Sequence, residues 1–226
     1  MLNRPDAVPA FFLGPDEADW RDEIAAAVPS ALFPEQRQDI WGEGFSPLRA
    51  IALGQCLSLA VSNDCGTGHM LAAADCPLIS LFGPTEAEKF KPITAGGCQV
   101  IHALDFGDSV DMDAIPVRPV LDAVLQKLLL FAPGLKTISL SGNHITGTIP
   151  SFIRSFVVLE VLCLDANRIE GTIPGGLEKL EHLECLFLGG NQLSLPHDVT
   201  PSFTQLVLSF ASTRATDVIV VFSVVS

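Results

Sequence analysis

The residue types best suited to chemistry are crowded into one stretch. Asn63, Asp64, Cys65, Gly66, Thr67, Gly68 and His69 follow a short apolar run, and Gly83, Pro84 and Thr85 follow a second. Leu59 to Ser62 reads as a buried strand and Gly68 to Asp75 as an Ala-rich helix, so the polar, glycine-bearing turn between them leaves backbone amides unpaired at the strand's carboxyl end. The positive end of the helix dipole lies behind those amides, which suits a phosphate or diphosphate. Ligands of open α/β sheets sit at that end of the strands. His69 can donate to an anionic oxygen from the first helical turn, and Thr67 adds a hydroxyl. The same residues also fit an ordinary capped turn, with Asp64 as an Asx-turn acceptor and His69 as a partly buried helix-start residue.

The elements around this stretch alternate. Pro9 to Gly14 reads as a strand, residues 16–28 as an acidic-led helix, and Pro47 to Cys56 as a helix. Leu78 to Phe82 and Gln99 to Ala103 read as strands, and Pro119 to Leu130 as a closing helix. Strand and helix taking turns predicts a Rossmann-like parallel sheet with helices on both faces.

Composition narrows the function classes. Hydrophobic residues make up 48% of the 226 and charged residues 17%, which excludes a disordered chain. A net charge of -13 repels phosphate backbones and anionic lipid, so a general nucleic-acid or membrane-surface binder is not expected. The acidity is concentrated at the front, where residues 1–131 hold 18 acidic side chains against 8 basic ones. Six cysteines with no C-x-x-C pair, and no histidine at zinc-finger spacing, suggest neither a disulfide scaffold nor a metal site. Reduced thiols in a cytoplasmic protein are the expectation, with no cofactor. The first residues lack a signal-peptide pattern, and the apolar run from Val218 to Val225 is broken by Ser223 and falls well short of the ~20 residues of a membrane span.

The last third obeys a different grammar. Leu135, Leu159 and Leu183 recur every 24 residues, as do Asn143, Asn167 and Asn191. Each unit opens L-x-x-(L/I)-x-L-x-x-N, and G-x-I-P occurs at Gly147 to Pro150 and Gly171 to Pro174. This resembles a leucine-rich repeat array of the subclass common in plant receptor-like proteins. The fixed Leu and Ile side chains are expected to point into a stacked core, and each Asn to bond backbone groups left open where the chain bends. Thr137, Ser139, Val161, Cys163, Cys185 and Phe187 are then expected on the concave face where such solenoids bind protein partners. The third repeat lacks G-x-I-P, and residues 197–226 do not continue the period; they read as β-prone, Val-rich and unassigned.

The front region also resembles a family. Asn63 to His69, then MLAAADCP, then Phe82, Gly83, Pro84 and Thr85 look like the signature of glycosyltransferase family 9, the lipopolysaccharide heptosyltransferases and their relatives, which runs N-D-(T/S)-G-P-x-H, an Ala-rich helix, Pro, a strand and (F/Y)-G-P-T. FFLGPDEADW and IPVRPVLDAVLQKLL are similar to the flanks, so the resemblance covers about residues 7–131. Cys65 stands where the pattern has Thr or Ser, and Thr67 where it has Pro. The resemblance implies half of a two-domain GT-B fold that takes a nucleotide diphosphate sugar, often ADP-heptose, for inverting transfer without an obligatory metal. It also implies donor diphosphate and sugar contacts at Asp64, Cys65, Gly66, Thr67, Gly68 and His69, with Gly83, Pro84 and Thr85 on the neighbouring loop.

In that family the preceding acceptor domain supplies the general base, and this sequence reads as beginning inside the second half. No catalytic residue is therefore assigned, and little transferase activity is expected from this chain alone. Asp16, Glu17 and Asp19 read as carboxylates complementing a helix dipole, with Glu17 worth testing because G-P-x-E belongs to the resemblance. The expected organisation is a donor-binding domain over 1–131, repeats over 132–196 and an unassigned tail over 197–226. Three readings stay open: an incomplete nucleotide-sugar enzyme, a repeat protein that binds partners behind a non-catalytic front domain, and a fusion of two unrelated pieces. The helix ending at Leu130 is also a candidate cap for the apolar end of the solenoid, in which case the two halves would melt together.

Overall fold

The computed structural model describes residues 8–14, 17, 19–42 and 44–194. The Val-rich tail expected at 197–226 and Asp16 lie outside them. The described chain divides into two compact units, one holding residues 10–21 and 32–131, the other holding 22–31 and 132–194. The described chain is mixed α/β with parallel sheets, the class expected.

The front unit begins irregularly. The strand expected over Pro9 to Gly14 is reduced to a single bridge between Ala10 and Leu32. Pro9 has no amide to give a ladder, and Phe11 donates to the Leu32 carbonyl at 2.8 Å. The helix expected over 16–28 forms as α1, Trp20–Ala27, with no buried side chain, and its residues from Asp22 on belong to the other unit. After α2 (Gln38–Trp41) and α3 (Pro47–Gly54) the alternation is regular. It runs β1 (Ala60–Asn63), α4 (Gly66–Ala73), β2 (Leu78–Phe82), α5 (Ala87–Phe90), β3 (Cys98–His102) and α6 (Val117–Phe131).

The three strands form one parallel sheet in the order β1-β2-β3, and period-two alternation gives it two apolar faces. On one face Ala60 and Leu78 pack with Leu71 and Ala72 of α4. On the other, Ile79 and Ile101 pack with Ala123 of α6, flanked by Val120 and Val124. Helices thus cover both faces, as the alternation predicts. The register pairs Asn63 with Leu81 and Phe82 with His102. The carboxyl ends of all three strands therefore emerge along one edge.

In this unit Glu35 and Arg49 form an ion pair at 2.6 Å, with side chains only 4% and 9% exposed. Arg49 also donates to the Gly44 carbonyl at 2.6 Å.

The second unit is built by the repeat. β4 (Thr137–Ser139), β6 (Val161–Cys163) and β8 (Cys185–Phe187) form one parallel sheet, and β5 (Thr146–Gly147), β7 (Arg168–Thr172) and β9 (Gln192–Ser194) form another ladder beside it. Thr137 pairs with Val161 and Val161 with Cys185, so the register is the sequence period itself. Leu135, Ile138, Leu159, Leu162, Leu177 and Leu186 fill the interior.

The asparagines do what the repeat predicts. The Asn167 amide donates to the carbonyls of Leu140 (2.7 Å), Leu164 (3.0 Å) and Asp165 (3.1 Å). Its oxygen accepts the backbone amides of Asn143 (3.0 Å) and Ile145 (2.9 Å). Asn191 repeats the pattern one turn on, accepting from Ile169 at 3.0 Å and donating to Leu164 at 2.8 Å.

Candidate functional site

The loops after β1 and β2 meet at the common edge. Cys65 is extended (φ −151°, ψ 168°) and stands as the N-cap of α4, which starts two residues earlier than the composition suggests. Its side chain makes no cap bond to the first turn; it lies instead 3.5 Å from the Ser62 hydroxyl. The opening amides of the helix are thus left without a side-chain cap, the arrangement in which a helix start accepts an anion. Cys65, Gly66 and His69 are exposed around it, and Thr67 is half-buried.

Asp64 is tied on both sides. Its amide donates to the Leu81 carbonyl at 2.9 Å, continuing the β1–β2 ladder, and its carboxylate accepts the Thr85 hydroxyl. Residues 64–69 and 83–85, distant in the chain, are therefore brought together as one edge. The three motif glycines differ in role. A Cβ on Gly68 would meet the Ser62 hydroxyl at 2.7 Å, and one on Gly83 would meet the Val110 carbonyl at 2.8 Å, so both glycines are needed for close packing. Gly66 has nothing nearer than the Met70 methyl at 3.8 Å and faces open space. Pro84 is exposed beside Thr85.

His102 is a residue of this edge that the sequence alone does not single out. From the end of β3 its Nε2 lies 3.2 Å from the Thr85 carbonyl, while Nδ1 accepts the Leu104 amide at 3.1 Å. Its signal was available: a polar residue closing the third strand of a parallel sheet belongs at the edge where ligands sit. Glu17, by contrast, closes its own turn, its carboxylate accepting the Gly14 amide at 2.7 Å. Asp19 is exposed.

On the repeat unit, Thr137, Val161, Cys185 and Phe187 are half-buried along the registered strands. Ser139 and Cys163, expected to line an open concave face with them, are instead buried. Burial, followed by the Asp165 carboxylate, pushes the Cys163 thiol up to about 11, against a small opposing effect of the Ser139 hydrogen bond. Cys76, in the front unit's core, is likewise pushed up to about 11 by burial. No cluster of potential metal ligands occurs among the described residues, and no described helix is long and apolar enough to cross a membrane.

Two family models match segments of the chain. Residues 45–111 match the model of glycosyltransferase family 9 (heptosyltransferase). Residues 133–193 match that of the leucine rich repeat. The family 9 segment contains all three strands of the front sheet and both loops of the edge, and the repeat segment contains β4 to β9 almost whole. No curated protein matches the chain.

Among solved structures the chain is similar to the BIR3–SERK2 complex from Arabidopsis thaliana, at 40% identity over 30% of this chain and 36% of that one, with a TM-score of 0.29. It is also similar to the Arabidopsis receptor kinase HAESA in complex with the peptide hormone IDA and the co-receptor SERK1, at 18% identity over 65% of this chain and 22% of that one, with a TM-score of 0.31. The chain spans far less than two thirds of either.

Proposed function

We propose that the family 9 segment binds the diphosphate of a nucleoside diphosphate sugar at the carboxyl ends of β1 and β2, as the donor-binding part of an inverting glycosyltransferase. The observation that carries this reading is the joining of two motif loops by the Asp64–Thr85 bond, in front of a helix start that Cys65 leaves uncapped. Opening amides of α4 would hold phosphate oxygens, and exposed His69 would add a donor from the same turn. Cys65 lacks the hydroxyl that Thr or Ser would offer, so binding here relies on amides and His69.

Two carboxylates that could take the acceptor's proton are already hydrogen-bonded. Asp64 is engaged by Thr85, and Glu17 by Gly14. The chain is expected to bind donor. Titration calorimetry of the full chain with ADP, UDP and their sugars should show heat with at least one of them, and His69→Ala should weaken that binding about tenfold, the loss of one charge-assisted bond. Absence of heat with every nucleotide would overturn the reading.

A second reading belongs to the repeat unit. The half-buried row Thr137, Val161 and Cys185, in register across three strands, is a short apolar surface of the kind that solenoids use for proteins. Replacing Val161 and Phe187 by Glu in the full chain should abolish any partner captured by the unaltered protein. A partner held equally well by the substituted chain would remove this surface from consideration.

A further inference from the structure

We propose that His102 is a positioning residue of the donor edge, holding the Gly83–Thr85 loop against the turn that carries Asp64. This rests on the donor-binding reading above. The argument begins with the ring's two nitrogens. Nδ1 accepts the Leu104 amide at 3.1 Å, so in the neutral imidazole the proton is on Nε2. Nε2 then donates to the Thr85 carbonyl, 3.2 Å away.

The ring has no freedom to choose otherwise. It stacks on Phe82 with centroids 6.4 Å apart and planes 12° from parallel, and Phe82 is fully buried. The His102 backbone amide donates to Asp105 at 3.0 Å, completing a reciprocal cap over the turn after β3. Thr85 therefore sits between two strand ends, its carbonyl held from β3 by His102 and its hydroxyl held to Asp64 after β1. The chain His102–Thr85–Asp64 crosses the carboxyl ends of all three strands. Without His102, the Thr85 hydroxyl would still have a partner, but the loop would lose the tether that aims it.

Three substitutions separate the ring's duties. His102→Phe keeps the stack on Phe82 and loses both hydrogen bonds. His102→Asn keeps an acceptor for the Leu104 amide but is too short to reach Thr85. His102→Gln restores a donor at the distance of Nε2. Hydrogen exchange of the full chain without ligand should show the Leu104 amide protected in wild type and Asn, and exposed in Phe. Nitrogen chemical shifts of the wild-type imidazole should report protonation on Nε2. With ADP as probe, affinity should fall about tenfold in Phe and Asn, which both lose the bond to Thr85, and return to within about threefold of wild type in Gln.

A merely structural His102 would make ADP affinity follow the melting temperature across the three variants, and that result would overturn the proposal. So would a ring protonated on Nδ1, or an Asn variant that binds ADP as wild type does. If wild type binds none of ADP, UDP and their sugars while the tautomer and exchange results hold, the donor-binding reading fails, and His102 remains only a tether of the Thr85 loop.

Discussion

Replacing Arg49 with Met is expected to destabilise the front unit by about 3–5 kcal/mol, because it leaves the Glu35 carboxylate facing the interior without its partner. The pair is among the least accessible in the described chain, with Glu35 only 4% exposed, and the second Glu35 carboxylate oxygen already lacks any hydrogen-bond partner. Removing the cation therefore leaves a buried charge with almost nothing to solvate it. The double change Arg49→Met with Glu35→Leu should recover most of the loss, since two well-packed apolar side chains avoid the desolvation cost altogether. Urea unfolding followed by a probe in the front unit measures both. An Arg49→Met protein as stable as wild type would show that water reaches the pair.

The second large effect is expected at Asn167, the central asparagine of the repeat. Asn167→Ala should cost about 2–4 kcal/mol, and the loss is asymmetric among the groups it touches. The carbonyls of Leu140 and Leu164 keep second partners, because Asn143 donates to the first at 3.0 Å and Asn191 to the second at 2.8 Å. The backbone amides of Asn143 and Ile145 lose their acceptor, and Ile145 is buried. An unpartnered buried amide costs more than the net worth of the bond it lost. Asn143→Ala removes only two donations at an exposed residue and should cost about 1 kcal/mol or less. Equal effects at the two positions, measured by thermal unfolding of the full chain, would mean that the ladder is not what closes the repeats.

These two sites mark different degrees of legibility. The asparagine ladder could be read before any coordinates, because a 24-residue period forces equivalent residues into register and a buried amide side chain must find backbone partners. The Glu35–Arg49 pair could not, since nothing local in FPEQ or SPLRA says that these two side chains turn inward towards one another. The same contrast runs through the front sheet. Leu78 to Phe82 is legible to the residue because a mostly apolar run bounded by Pro and Gly leaves little choice. Pro9 to Gly14 looked equally apolar and failed to become a strand, because its fate depended on ladder partners elsewhere in the chain.

The residue types and their order were enough to establish two kinds of unit, a parallel α/β segment and a stacked repeat, since periodicity and turn chemistry act over a few residues. What needed the tertiary structure was which distant groups meet. Only folding brings Thr85 to Asp64 and His102 to Thr85, buries Ser139 and Cys163 instead of leaving them open, and gives Gly68 and Gly83 a packing duty while Gly66 faces free space. The physical reason is range: local propensity decides which element forms, whereas contacts across a sheet edge depend on register, and register is set by the whole core.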